Sequence, residues 1–189
     1  HTYTQAFAIY ALSEYVRARR ASAERVNGTS ASTDVNGSAS AVGGRNGHAQ
    51  KGADPVAEEA LEHAVRLFRI LQDKALDRAH GGYMEAFDRT WCPLDDVRLG
   101  PGDAYAAKSF NTHLHLLEAF TNLLRVWPDP ELARQVRALV ELHLQTIYDA
   151  RTHHFHPFFD ADWSVRATPY SYGHDIEAAW LLADAARLL

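Results

Sequence analysis

The sequence predicts an all-α fold assembled from pairs of helices, with short β-hairpins between them. Two observations predict it: apolar residues recur at helical spacing through most of the chain, and one helix–hairpin–helix unit occurs twice. Each such unit buries one face only against its neighbours, so repeats of paired helices build solenoids or closed toroids. With 189 residues, 47% of them hydrophobic, the chain can form one core or part of a larger one.

The helix boundaries follow from capping signals and periodicity. Asp is a good N-cap and Pro suits the first helical position, so Asp54-Pro55 and Asp129-Pro130 each begin a helix. Gly81-Gly82 ends the first of these. The predicted helices are residues 5–18, with Tyr3 just before them, 55–80, 107–126, 130–147 and 174–188.

Residues 21–53 differ in composition from the rest of the chain. They contain no aromatic residue, Leu or Ile, and they are rich in Gly, Ser, Ala and Asn. Such a segment cannot offset its ordering entropy by burial. We therefore expect a flexible low-complexity insertion without regular structure, whose deletion leaves folding unchanged, inside one partial domain made of residues 1–20 and 54–189.

The two predicted hairpins, residues 81–91 and 153–163, belong to the internal repeat. Five residues of the first unit recur at one constant offset in the second: Asp77, Tyr83, Phe87, Asp88 and Trp91 correspond to Asp149, Phe155, Phe159, Asp160 and Trp163. Since both tryptophans occupy equivalent repeat positions, we interpret them as structural.

The helix after each hairpin carries a His-x-x-Glu pattern. His115 and Glu118 share one helix face, as do His174 and Glu177, and Asn111 extends the first of these polar faces. Three interpretations follow: histidines hydrogen-bonded to carboxylates inside a core, a metal site built from His and Glu, or acid–base chemistry by a histidine near its ordinary pKa. Repetition in two units weakens the purely structural interpretation.

Charge and cysteine content exclude several classes of partner. The net charge is −5, with acidic and basic residues interspersed, so we expect no nucleic-acid-binding surface. No apolar run approaches the length that spans a bilayer, and we expect no membrane partner. The single cysteine, Cys92, excludes an internal disulfide and fits a reducing, cytoplasmic location.

Several long motifs resemble the cellobiose 2-epimerases of the N-acylglucosamine 2-epimerase superfamily. They are KSFNTHLHLLEAFTNLLRVWPD, GGYMEAFDRTWCPLDDVRL, FFDADW and SYGHDIEAAWLL, together with HTYTQAFAIYALSEY near the start. The resemblance covers nearly all of the chain outside residues 21–53. It implies that the helices form part of an (α/α)6 barrel of twelve helices, with a sugar pocket at one end, a small-molecule disaccharide as substrate, and no metal or other cofactor.

Residue roles also follow from the resemblance. His174 matches a general acid/base histidine, and Glu177 matches the carboxylate that supports the site. Asn111 and His115 match residues that hold the reducing-end sugar, with His115 also in the catalytic group, and Tyr3 matches a pocket aromatic.

Epimerisation at C2 of an aldose explains why such residues are needed. The proton α to the C1 carbonyl of the opened sugar leaves, and it returns to the opposite face of a planar enediolate. Two groups, one on each face, meet this need directly, and histidine suits the role at neutral pH. We expect His115 and Asn111 to donate hydrogen bonds to the enediolate oxygens. Trp180 either stacks on a sugar face or belongs to the core.

The chain also departs from the family. The resemblance implies a second catalytic histidine near the C-terminus and a substrate-binding arginine near the N-terminus, and neither region is present. We therefore expect a part of a longer protein that, alone, is catalytically weak. Alternatives are an N-acylglucosamine 2-epimerase or aldose–ketose isomerase, and an inactive carbohydrate-binding or assembly module. A glycoside hydrolase is disfavoured, because Asp175 and Glu177 do not face each other across a cleft.

Overall fold

The computed structural model describes residues 1–30, 54–94, 96–98, 105–167 and 170–189. This part of the chain is mainly helical, so the all-α prediction is confirmed. Its α-helices are α1 (Thr2–Ser30), α2 (Pro55–Lys74), α3 (Phe110–Val126), α4 (Pro130–Leu142) and α5 (Tyr172–Leu188), and a π-helical turn, His143–Ile147, continues α4. Asp54 and Asp129 cap α2 and α4 as predicted, each accepting two backbone N–H groups.

Helix α1 is longer than predicted at both ends. It includes Tyr3, and it continues to Ser30 instead of ending near residue 20. The expected lack of regular structure in residues 21–53 is therefore wrong for residues 21–30, where Ala, Glu and Arg favour helix propagation from a buried first half. Residues 31–53 lie outside the described residues.

The strands are very short and pair differently from the predicted hairpins. They are β1 (Lys108–Ser109), β2 (Tyr148–Asp149), β3 (His154–Phe155), β4 (Phe158–Phe159) and β5 (Val165–Ala167). Strand β3 pairs back with β2, whereas β4 lies between β1 and β5 in a second sheet. Residues 153–163 are thus not one hairpin, and residues 108–109, predicted as helix, are a strand. In the first unit the equivalent pairings are isolated bridges, Leu76–Tyr83 and Phe87–Pro93.

The internal repeat extends to the backbone. Gly81 and His153 occupy equivalent positions and both have left-handed φ angles, 73° and 61°. Trp91 and Trp163 do so as well, at 65° and 71°. Each of these tryptophans donates its backbone N–H to the carbonyl of the repeat aspartate three residues earlier. The two units therefore share one turn geometry that positions the helix after each.

The helices pack in a chain of contacts. α1 contacts α2 and α3, and α3 contacts α4 and α5. We call α1, α3 and α5 the central helices. Helices α3 and α5 are neighbours, and Phe110, Leu114 and Leu181 share a small core between them. None of the described helices is long and apolar enough to cross a membrane.

Lys108 joins the two repeat units. Its side chain is fully buried, and its Nζ donates to Asp77 Oδ2, to Gly81 O and to Ala161 O at 2.7, 2.7 and 2.6 Å. Burial lowers the pKa of Lys108, while Asp77 opposes that shift. Burial disfavours the charge on Asp77 too, but the hydrogen bonds from Lys108 and two backbone amides prevail and lower its pKa to about 2.

Candidate active site

A cavity of about 230 Å³ opens beside the N-terminal ends of α3 and α5. Its floor is aromatic, made by Phe110, Phe155 and Phe158. Its polar wall consists of Glu85, Arg98, Asn111, Tyr170, Ser171 and His174. An apolar floor with a few convergent polar groups is the usual character of a small-molecule site.

Asn111 offers this cavity a polar atom that lacks a partner. Its side-chain Oδ1 is buried and has no hydrogen bond from any described residue. A buried amide oxygen without a donor costs free energy, so it marks a place where a ligand is expected to donate one. His174 lies on the same cavity, in the first turn of α5, with its ring centroid 6.0 Å from that of Phe110.

One helical turn further along α3 and α5 lies a second cluster, the His115 group, made of His115, Glu118 and Glu177. One imidazole nitrogen and one oxygen of each carboxylate lie within 4.8 Å of one another. His115 Nδ1 is 3.0 Å from Glu118 Oε2. The rings of Tyr3 and Phe7 on α1 pack against the imidazole, with centroid distances of 5.2 and 4.7 Å.

The two His-x-x-Glu patterns are not equivalent in the structure. Ser109 caps α3 and accepts the amide of Thr112, whereas Ser171 caps α5 and accepts the amide of His174. His174 therefore corresponds to Thr112, and Glu177 corresponds to His115. The sequence interpretation, which aligned His115 with His174, is wrong by one helical turn. The true register explains why His115 and Glu177 meet.

Helix α1 follows the same register. Thr2 donates its backbone N–H to Glu85 O, and Phe110 donates its own to Pro157 O, at 3.0 and 2.9 Å. Glu85 and Pro157 are equivalent repeat positions, so Thr2 corresponds to Phe110. Extending the register along the helices aligns Tyr3 with Asn111, Phe7 with His115, and Tyr10 with Glu118.

The predicted site residues thus fall into two adjacent groups. Asn111 and His174 line the cavity, while His115 and Glu177 are absent from its described lining and lie within 4.8 Å of each other. Tyr3 packs against His115. Trp180 is 56% exposed in this chain, and its predicted role in sugar stacking or in the core stays a prediction. It lines a separate, smaller cavity together with Glu118 and Arg125.

Sequence reasoning missed Glu85. This buried side chain is on the cavity wall. Its carboxylate accepts hydrogen bonds from Ser109 Oγ, at 2.8 Å, and from Thr112 Oγ1. The equivalent residue of the second unit is Pro157. This difference between the two repeat units was visible in the sequence and could have indicated a special role for Glu85. A carboxylate at this position is not required by the shared turn geometry.

The remaining histidines near the site have structural partners. Burial lowers the pKa of His113 to about 3, and its ring bridges Ser109 O at 2.7 Å and the Tyr83 amide at 2.9 Å. His154 Nδ1 lies 2.6 Å from Asp175 Oδ2, and Asp175 Oδ1 accepts the Phe155 amide. His154 therefore anchors the start of α5 beside His174.

The His115 group also has the donor set of a cation site, one imidazole and two carboxylates. Nδ1 of His115 is already at hydrogen-bond distance from the carboxylate of Glu118. These two atoms can therefore share a proton. The expectation of a metal-independent site stays a prediction.

Comparison with known proteins places this geometry in a family. The N-acylglucosamine 2-epimerase (GlcNAc 2-epimerase) family model matches residues 47–188. A cellobiose 2-epimerase from Bacteroides fragilis is 49% identical over 131 residues, which are 69% of this chain and 33% of that protein. A cellobiose 2-epimerase from Dictyoglomus turgidum is 31% identical over the whole chain, which spans 39% of its length.

Solved structures agree with the sequence relatives. Cellobiose 2-epimerase from Bacillus thermoamylovorans superposes with a TM-score of 0.75 at 31% identity, covering all of this chain and 39% of that one. A sugar epimerase from a ruminal bacterium gives 0.76 at 31% identity, with the same coverage. The chain thus spans about two fifths of these relatives, and its helices form part of an (α/α)6 barrel. The chain belongs to the N-acylglucosamine 2-epimerase family.

Proposed function

We propose that the full-length protein carrying this chain is a sugar 2-epimerase that acts at the reducing end of a β-linked disaccharide. It interconverts the glucose and mannose configurations through an enediolate, as with cellobiose and glucosyl-mannose. The observation that carries the proposal is the cavity shared by His174 and the unpartnered Oδ1 of Asn111. The relatives named cellobiose 2-epimerase support the substrate class.

In this mechanism His174 is the general acid/base at C2. Asn111 Oδ1 accepts a hydrogen bond from a sugar hydroxyl, which supplies its missing donor, and its amide N–H₂ stabilises the developing oxyanion. Glu177, one turn after His174, lies beside His115, so its carboxylate stabilises positive charge on the His115 imidazole. The aromatic floor holds the apolar face of the sugar ring.

A substrate comparison tests the proposal against its nearest alternative. The full-length protein is incubated separately with cellobiose and with N-acetylglucosamine, and the products are followed by proton NMR. We expect glucosyl-mannose from cellobiose and little change in N-acetylglucosamine. Turnover of N-acetylglucosamine alone would identify an N-acylglucosamine 2-epimerase, and a ketose product would identify an aldose–ketose isomerase.

A further inference from the structure

Two carboxylates lie beside His115, and that of Glu118 is at hydrogen-bond distance from its ring. Glu118 lies on the same helix, three residues on, with Oε2 at 3.0 Å from Nδ1. Glu177 reaches the cluster from α5. The side chains of His115 and Glu118 are only 11% and 18% exposed, so water screens their interaction weakly.

The bond to Glu118 determines the tautomer of His115. An ionised carboxylate can only accept, so the hydrogen of a neutral imidazole must be on Nδ1. Nε2 then carries the lone pair. The same logic operates wherever a carboxylate fixes one histidine nitrogen and thereby defines the chemistry of the other.

The packing of the central helices does not require a carboxylate at the position of Glu118. The residues that correspond to Glu118 are Tyr10 on α1 and Trp180 on α5. The charge of Glu118 acts on Tyr10. Burial raises the pKa of the Tyr10 hydroxyl most, the negative charges of Glu118 and Glu14 raise it further, and Arg17 and Arg125 oppose this shift. The rings of Tyr3 and Phe7 pack against the imidazole of His115, whose Nδ1 faces Glu118.

We propose that Glu118 is a positioning residue that holds His115 as its Nδ1–H tautomer, so that Nε2 presents a lone pair to the sugar. This inference rests on the proposed function and deepens it. His115 then accepts a proton from a sugar hydroxyl instead of donating to the enediolate, the role the sequence suggested. Once protonated, the imidazolium is stabilised by Glu118 and Glu177 and can return the proton.

Nitrogen NMR on the ¹⁵N-histidine-labelled full-length protein tests the tautomer without any activity. We expect a protonated Nδ1 and an unprotonated Nε2 for the neutral ring of wild-type His115. Glu118→Ala should move the population towards the Nε2–H form. Glu118→Gln, which keeps the shape and an acceptor oxygen, should retain the tautomer. The buried ring of His113, held by Ser109 and Tyr83, provides an internal signal that each variant is folded.

Glu177→Gln is the matched control, because it removes the other carboxylate and keeps Glu118, the partner of Nδ1. It should leave the tautomer unchanged. An Nε2–H ring in the wild-type chain, or a tautomer that Glu118→Ala leaves unchanged in a folded chain, would overturn the inference.

The second measurement is the pH profile of turnover in the full-length protein. Glu118→Gln should lower kcat more than it raises KM, and it should shift the acidic limb to lower pH, because the imidazolium loses its counter-charge. An unshifted limb would contradict the positioning role. Absence of epimerisation in the wild-type protein would instead contradict the proposed function, with the tautomer result still standing.

Discussion

His115 on α3 and Glu177 on α5 occupy the same level of two successive central helices, each at the same sequence distance from its capping serine, Ser109 or Ser171. This register, set by the caps, brings an imidazole and a carboxylate from different helices within 4.8 Å. It leaves Asn111 and His174 one turn nearer the hairpins, on the cavity. The proposed chemistry depends on these two adjacent levels.

Asn111→Ala should weaken substrate binding without harming the fold. The side-chain Oδ1 has no partner among the described residues, so its removal loses no internal hydrogen bond. We expect KM to rise about tenfold to a hundredfold, about 1.4 kcal/mol being a factor of ten. Thermal unfolding checks stability, and a Tm that falls sharply would show that Asn111 is structural instead.

Lys108→Met should destabilise the chain strongly. The change leaves Asp77 largely buried without its cation and removes the three hydrogen bonds that join the repeat units. Breaking a buried pair in this way costs about 3–5 kcal/mol. Lys74→Met removes an exposed pair with Asp73 and should change the free energy of unfolding by less than about 1 kcal/mol. Equal effects of the two changes in urea titrations would contradict the role of Lys108.

The two turn glycines provide a matched pair. Gly81 and Gly82 both have left-handed φ angles, 73° and 70°, so a Cβ costs about the same backbone energy at each. A Cβ at Gly81 meets no described atom within 4 Å, whereas one at Gly82 would sit 2.7 Å from His113 Nε2 and closer still to the Trp163 ring.

Gly82→Ala should therefore destabilise the chain by about 1–3 kcal/mol more than Gly81→Ala, because the second unit's tryptophan must move. Chemical denaturation of the two variants measures the difference. Similar losses for both would mean that Trp163 does not pack on this turn.

Much of this organisation was predictable from the sequence, because local signals carry it. Asp-Pro capping, apolar periodicity and the constant offset between Asp77 and Asp149 predict helices and repeat units without tertiary information. The site's register was not predictable in the same way. The His-x-x-Glu patterns look identical, but the cap serines and the hairpin contacts decide which residues are level, and those depend on long-range hydrogen bonds. No sequence pattern indicated that Lys108 is buried, because its three hydrogen-bond acceptors come from two turns that are far from it in the sequence.

The free energy of unfolding should decrease as the pH is lowered below about 6.5, because the chain contains a buried histidine. Burial lowers the pKa of His113 from 6.5 to about 3 in the folded chain. The unfolded chain therefore binds more protons between these values, and the stabilisation that is complete above pH 6.5 is lost as the pH falls, by up to about 1.4 kcal/mol per pH unit.

His113→Gln removes this dependence, so the stability difference between wild type and variant should narrow as the pH is lowered. Urea titrations between pH 7 and about 4.5 give the slope. Buried His143, whose pKa is lowered to about 4, adds a similar dependence to both proteins and cancels in the comparison. A constant difference across this range would mean that His113 is protonated in the fold.

Exchange at C2 of cellobiose in deuterated water tests the central claim most directly. The full-length wild-type protein should incorporate deuterium at C2 of the reducing sugar as glucosyl-mannose forms. His174→Ala should reduce that exchange by about 10²–10⁴-fold, the usual cost of removing a general acid/base. His63→Ala, at an exposed histidine of α2, should leave it unchanged. Full exchange in a folded His174→Ala variant, or no exchange in the wild type, would contradict the account.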